Sequence, residues 1–407
     1  MRILQLCNRV PYPPRDGGAI AMLNMVKGFQ DLGHELYLLC LNTKKHHVIS
    51  SDLPQLFSKL ASFKAIDIDT HVKPLPAFLN LLFSRKSYHV SRFYSKEFEN
   101  ELIKTLKSHD FDIVHIEGLH ICIYLDIIRK NTKAKICLRA HNLEYLIWER
   151  LAEKERNPIK KFYLNTLVGR LLNFEIQTIG EIDALLPITE ADAKVFREIN
   201  GQVIIFVSPT GLDFNEYKII KGKQEWPGLF HLGALDWMPN VQGVQWFLSD
   251  VWPMVHKEFP KLKFYIAGRN TPEWLFQLKA VGVEVLGEID NAIDFMNSKS
   301  IMVVPLLSGS GMRIKIIEGM ALAKTIVSTT IGAEGIHYTN QENIIIADEA
   351  EALFFALKKC INGREFSNRI GKNARQLAEK EYNNMSLVEK LVGFYEGLND
   401  EQLSTNN

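Results

Sequence analysis

Scarce cysteine, no long apolar run and almost no net charge restrict what this chain of 407 residues can be. The five cysteines (Cys7, Cys40, Cys122, Cys137, Cys360) are scattered, mostly within apolar runs, with neither metal-ligand spacing nor a paired framework. They read as reduced core thiols of a cytoplasmic protein. No apolar run approaches the roughly 20 residues that span a bilayer. The opening "MRILQLCNRVPYPPRDGG" is a short strand followed by prolines, not a secretion signal. Lys and Arg number 48 against 47 Asp and Glu, for a formal net charge of +1, which argues against a dedicated nucleic-acid binder. "NRVPYPP" stands where a dinucleotide-dependent dehydrogenase would carry G-x-G-x-x-G after its first strand. No D-x-D-like metal-binding segment stands out in the loops of the chain's second half, so no metal and no other cofactor is expected.

What is present is a repeated alternation of apolar strands and helices. The first series runs through "RILQLC", "HELYLLCL", "FKAIDI", "DIVHIEG", "AKICLRAHN", "DALLPIT" and "VIIFVSP". The second runs through "GLFHLGALDW", "LKFYIAGRN", "VEVLGEI", "SIMVVPLL", "KTIVSTT" and "ENIIIAD". Continuous apolar strands separated by helices predict parallel sheets covered on both faces. The expected organisation is an N-terminal Rossmann-like domain over 1–210, a linker over 211–227, a second Rossmann-like domain over 228–383, and a helix over 384–400 that crosses back to the first. In such sheets ligands sit beyond the carboxyl ends of the strands, and two facing domains would enclose a cleft.

One stretch, "LLSGSGMRIKIIEGMA" (306–321), carries an unusual charge pattern. The strand before it, read over 301–307, leads through glycines into a helix start bearing Arg313, Lys315 and Glu318. A helix N-terminus is already electropositive, so two added cations call for an anion. Gly309 and Gly311 would admit a phosphate close to backbone N–H groups, Arg313 offers a fork and Lys315 a point charge. Two helical residues so spaced would diverge, which places Arg313 in the entering turn. Glu318 suits a ribose diol better than a phosphate. The set fits a nucleoside diphosphate; an ordinary helix start with a Lys315–Glu318 pair fits equally.

The stretch "GSGMRIKIIEGMALAKTIVSTTIGAEGI" resembles the donor-binding region of family 4 retaining glycosyltransferases, and the resemblance covers most of the chain. "RAHNLE" looks like that family's histidine segment, "SPTGLDFNEY" like its inter-domain segment, and "GALDWMPNVQGVQWF" like the second-domain opening of a subgroup with Asp-Trp-x-Pro-Asn and G-x-R-x-K-x-x-E. The resemblance implies the GT-B fold, with two facing Rossmann-like domains. It implies transfer, with retention, of a sugar from a nucleoside diphosphate sugar to a glycan or lipid-linked acceptor in surface polysaccharide assembly. Glu318 matches the second glutamate of the Glu–seven residues–Glu motif, which holds the ribose hydroxyls. The first falls at Ser310, where the usual contact to the donor sugar is missing.

Further site residues follow from strand ends and from these matches. Arg313, Lys315 and His141 are the expected catalytic groups. Gly17, Gly18, Arg269, Ser310, Gly311, Glu318, Gly332 and Glu334 are expected at the donor, with Gly17 and Gly18 in a loop closing over its phosphate. Asp16, Asp236, Trp237 and Asn240 are expected on the cleft wall, with a core role for Trp237 as the rival reading. Arg139 and Glu144 read as orienting or structural groups. The stretch 70–96 holds Lys73, Arg85, Lys86, Arg92 and Lys96 among aromatics with no acidic residue. It suits an anionic membrane surface, peripheral on the inner face, as well as a solvated basic edge. Two rivals remain: a nucleotide-sugar epimerase or hydrolase on the same fold, and a non-catalytic nucleotide-sugar-binding subunit.

Overall fold

The computed structural model describes residues 1–84, 86–220, 222, 224–309 and 311–405. The chain divides into two units, Met1–Thr210 with Asn384–Asn407, and Gly211–Asn383. Each is built on one parallel sheet.

The first sheet holds β1 (Arg2–Cys7), β2 (Glu35–Thr43), β3 (Ser62–Ile68), β4 (Ile113–Glu117), β5 (Lys135–Ala140), β6 (Ala184–Pro187) and β7 (Ile204–Ile205), in the order β3-β2-β1-β4-β5-β6-β7. Alternate residues serve two cores, as strand pleating requires. Leu4, Leu6, Val114, Ile116 and Leu138 pack with Phe98, Leu102 and Leu171. Ile3, Cys7, Leu38, Ile113 and Cys137 pack with Met25, Phe29, Val388 and Tyr395. All five cysteines are buried and free.

The second sheet holds β8 (Leu229–Leu232), β9 (Phe264–Ala267), β10 (Val283–Gly287), β11 (Ile301–Val304), β12 (Thr325–Ser328) and β13 (Ile345–Ile346), in the order β10-β9-β8-β11-β12-β13. Leu229, Ile266, Val303 and Val327 line one core with Val244, Phe247, Leu353 and Leu357. Helix Ile314–Ala321 lies near Met302 and Ile326, which Gly319 faces.

Two boundaries differ from the sequence reading. The strand read over 301–307 ends at Val304, because Pro305 has no N–H for the ladder. The 211–227 stretch is bound into the second unit: Glu225 donates its N–H to Ser298 O at 2.9 Å, and the Asn297 amide bridges Lys218 O and Ile220 N.

The C-terminal helix Asn384–Thr405 packs on helix Gly17–Asp31 in the first unit. Their contact depends on Gly28, where a Cβ would stand 2.5 Å from Val388 Cγ2. Gly28→Ala is therefore expected to destabilise the protein by about 1–3 kcal/mol despite alanine's better helix propensity. Urea denaturation checks this, and Val388→Ala in the same chain should recover most of the loss.

Candidate functional site

In the first unit three adjacent strands carry a buried polar network that runs from their middles to their carboxyl ends. β1 contributes Gln5, β4 His115 and Glu117, and β5 Arg139, all fully buried. Glu117 is the centre. Its Oε1 accepts from His115 Nε2 at 3.0 Å and Gln5 Nε2 at 3.3 Å, with Arg139 Nη1 at 3.5 Å. Its Oε2 meets His141 Nε2 at 2.5 Å. Burial alone would raise the Glu117 pKa; Arg139, His115 and His141 outweigh it and hold the carboxyl well below the usual range. The network is tied down from above. His115 Nδ1 meets the Tyr395 hydroxyl at 2.6 Å, and Arg139 donates to Ala21 O, Ser208 O and Pro209 O.

His141 thus stands just past β5, one ring nitrogen fixed by a buried carboxylate and its side chain 18% exposed. Glu117 escaped the sequence reading, although polar residues at i and i+2 of an apolar strand share one face and need buried partners. Arg139, read as an orienting or structural group, holds three backbone carbonyls and stands 3.5 Å from Glu117 Oε1. Glu144 opens helix Glu144–Lys154, where its backbone N–H and that of Tyr145 are taken by the buried Glu175 carboxylate.

Gly17 and Gly18 form the first turn of helix Gly17–Asp31 and not a free loop, which corrects the sequence reading. Asp16 is its N-cap, accepting from Ala19 N at 3.1 Å and held by Arg9. An Asp followed by two small residues is a helix start before it is a loop.

In the second unit four loops converge at the carboxyl ends of β8, β9, β11 and β12. Leu235 N donates to Arg269 O at 2.9 Å, Asn270 Nδ2 to Asp236 at 3.1 Å, and Ser308 to Gln242 at 3.0 Å. Asn240 is buried and ties its own loop by donating to Ala234 O. Arg269 is half-buried at this edge. Thr329 Oγ1 accepts from Gly332 N at 2.9 Å and donates to Leu306 O, which places the Gly332–Glu334 turn against the β11 loop. Glu334 leaves Oε2 buried with no partner among the described residues.

Arg313 is the N-terminal cap of helix Ile314–Ala321, in the entering turn as expected. Its guanidinium lies 5.0 Å from the Trp237 ring centre and donates to Gly311 O. Gly309 and Gly311 both have positive φ; a Cβ on Gly309 would stand 2.7 Å from the Arg313 guanidinium. Trp237 is 38% exposed, so it is not core. Lys315 Nζ pairs with Glu318 Oε2 at 2.8 Å, while Glu318 Oε1 accepts from the Tyr217 hydroxyl at 2.9 Å. Burial, with Glu318 alongside, pushes the Tyr217 hydroxyl well above the ordinary phenol range, so it remains a donor. Ser310 lies outside the described residues.

Two parallel-sheet α/β units with polar loops at their carboxyl ends define a fold of the GT-B class. Residues 227–362 match the protein family Glycosyl transferases group 1. The chain is 25% identical over 408 residues to a 44.6 kDa protein in the cps region of Klebsiella pneumoniae, covering 96% of both chains. It is 26% identical over 115 residues to the O-antigen chain mannosyltransferase C of Escherichia coli, covering 27% of this chain and 31% of that one. The Anabaena Alr3699/HepE protein, solved in complex with UDP, superposes with a TM-score of 0.70 at 13% identity, covering 98% of this chain and 100% of that one.

Replacing Glu117 by Gln should cost about 3–5 kcal/mol of stability at neutral pH, because it strips a buried cluster of its only anion. A depressed carboxyl pKa contributes stability above the unfolded value of 4.5 and loses it as pH falls further. The gap between wild type and Glu117→Gln in urea denaturation should therefore narrow below about pH 4.5. A gap independent of pH would contradict the ionised state.

Proposed function

We propose that the protein is a retaining hexosyltransferase that moves a sugar from a nucleoside diphosphate sugar to a hydroxyl of a glycan or lipid-linked acceptor, in surface polysaccharide assembly. One observation carries the reading. Within the stretch that matches the group 1 family, the loops after β8 and β11 bring Trp237 and Arg313 to the start of the helix that carries Lys315 and Glu318. The relatives in a cps region and in O-antigen chain synthesis support the setting, and a UDP complex of a similar fold supports the donor class.

In this reading the donor diphosphate lies at the N-terminus of helix Ile314–Ala321. Its arrival draws Lys315 from Glu318, which frees one carboxylate oxygen for the ribose diol. As the glycosidic bond to phosphate breaks, negative charge grows on the leaving diphosphate and positive charge on the sugar. Arg313, Lys315 and the backbone N–H groups stabilise the former, so the step proceeds without a metal. Retention follows if the acceptor hydroxyl attacks from the side of departure and gives its proton to the leaving phosphate. His141 has one ring nitrogen committed to Glu117, and Arg269, Gly332 and Glu334 border the nucleotide.

Arg313→Ala should lower kcat/KM by about 10²–10³-fold, as removal of one charge-stabilising donor does. It should also abolish the rise in melting temperature that the matching UDP- or GDP-sugar gives the wild type. Turnover within threefold of wild type in a folded variant would sink the assignment. Donor binding without turnover would favour the non-catalytic subunit, and donor consumption without acceptor a hydrolase or epimerase.

A lipid-linked acceptor is supported by a surface of the first unit. Helix Pro74–Phe83 exposes Leu75, Phe78, Leu82 and Phe83, and Ile159 and Phe162 stand out at the start of helix Pro158–Glu181. Arg170 joins the two by donating to Asn80 O and Leu81 O. Exposed Lys73, Lys86, Lys160 and Lys161 border the patch, while Arg85 lies outside the described residues. Apolar side chains ringed by lysines suit an anionic bilayer surface. Among the described residues no helix is long and apolar enough to cross a membrane. The full chain should float with phosphatidylglycerol vesicles and not with phosphatidylcholine vesicles, and Phe78→Ser with Phe83→Ser should abolish flotation. Equal flotation of the double variant would contradict this contact.

A further inference from the structure

Three side chains of the first unit have no part in the reading above, yet they meet at one point. His89 lies on the short helix Tyr88–Ser91, His120 in the turn Leu119–Tyr124 that follows β4, and Glu144 at the start of the helix that follows β5. His89 Nε2 and His120 Nε2 stand 2.9 Å apart, and His89 Nε2 is 3.9 Å from a Glu144 carboxylate oxygen. One ligand atom from each of the three lies within 4.8 Å of the others. The cluster is walled by aromatics: Trp148 meets the His89 ring edge-on at 4.9 Å, and Phe93 lies 4.4 Å from the His120 ring. His89 and Glu144 side chains are 13% and 16% exposed, so the cluster is sheltered without being sealed.

Two imidazole nitrogens at this distance cannot both carry protons, so at least one presents a lone pair to the other. Arg92 identifies which. Its guanidinium donates to His89 Nδ1 at 3.3 Å, which leaves the His89 proton on Nε2 and the bare lone pair on His120 Nε2. A carboxylate stands on the same side.

We infer that His89, His120 and Glu144 form a binding site for a divalent cation of the zinc class. Two imidazole nitrogens and one carboxylate oxygen are the donor set of three-ligand zinc sites, and a harder cation such as magnesium would require more oxygen. Ligand atoms held about 2.0–2.1 Å from a tetrahedral ion stand about 3.3 Å apart. The histidine pair would open by a few tenths of an ångström, and the carboxylate would close by about half an ångström on His89 and, from a separation of up to 4.8 Å, by up to about 1.5 Å on His120 through side-chain rotation. The His89 proton passes from Nε2 to Nδ1 as the ion binds, and the long Arg92 contact gives way; no net proton is lost. The ion would join three connections at the carboxyl end of the first sheet, the 88–91 helix, the turn after β4 and the helix after β5. Its fourth position stays open to water or to a hydroxyl oxygen. This site is separate from the diphosphate step and does not depend on it.

The test is a titration of chelator-stripped full-length protein with Co²⁺, followed by Zn²⁺. The expected result is one equivalent of Co²⁺ with visible absorption of a four-coordinate ion, displaced by Zn²⁺. His120→Asn, and His89→Asn combined with Glu144→Gln, should weaken binding by at least about tenfold while leaving the metal-free melting profile in place. If those variants fail to fold, diethylpyrocarbonate modification of the wild type supplies the readout. Zn²⁺ should protect His89 and His120 and leave the exposed His71 reactive. No absorption at hundred-micromolar Co²⁺, unchanged binding by folded variants, or absence of histidine protection would each overturn the site.

Discussion

A parallel strand buried on both faces presents chemistry mainly at its end, and His141, Trp237, Arg313 and Gly332 follow that constraint. Both sheets are covered on their two sides, so their strands are largely apolar, Gln5 and His115 being exceptions that find buried partners, and most polar groups collect where the chain leaves a strand for a helix. His141 stands past β5 and Trp237 past β8. Arg313 stands past β11 and Gly332 past β12. The helices that start there supply unpaired N–H groups at the same edge. Strand ends, cations and helix starts coincide because the topology leaves them nowhere else.

In the first unit the consequence is a buried ionic network. Glu117 carries one negative charge into the interior, and Arg139, His115 and His141 make that tenable. Such a cluster contributes little net stability compared with apolar packing, yet removal of its centre is severe. What it supplies is fixed geometry, since one ring nitrogen of His141 is committed to Glu117 and the ring orientation follows. In the second unit, Lys315 and Glu318 pair with each other and Tyr217 occupies the second carboxylate oxygen. The charges that a nucleotide would use are held by one another.

Much of this was readable in the sequence, for identifiable reasons. Apolar runs marked all the strands, although proline and short edges trimmed them, as at Val304 and at Ile204–Ile205. Arg313 in the entering turn followed from helical geometry together with the expectation that it and Lys315 meet one diphosphate. Other features depended on tertiary contacts that spacing does not encode. Glu117 ends the strand of "DIVHIEG", and only the fold sets Gln5, His115 and His141 around it. Gly17 and Gly18 read as a loop because glycine marks turns, whereas Asp16 makes them a helix start. His89 and Glu144 are 55 residues apart in sequence, and only the fold brings them together.

The central claim is that the loop and helix at 306–321 hold a nucleoside diphosphate. Hydrogen exchange of the full chain, measured by mass spectrometry with and without saturating UDP or GDP, tests it most directly. The account expects one nucleotide to slow exchange across 306–321 and the 233–240 loop, with β1 to β5 unchanged. Protection confined to the first unit, or none in 306–321 with a nucleotide that demonstrably binds, would contradict it.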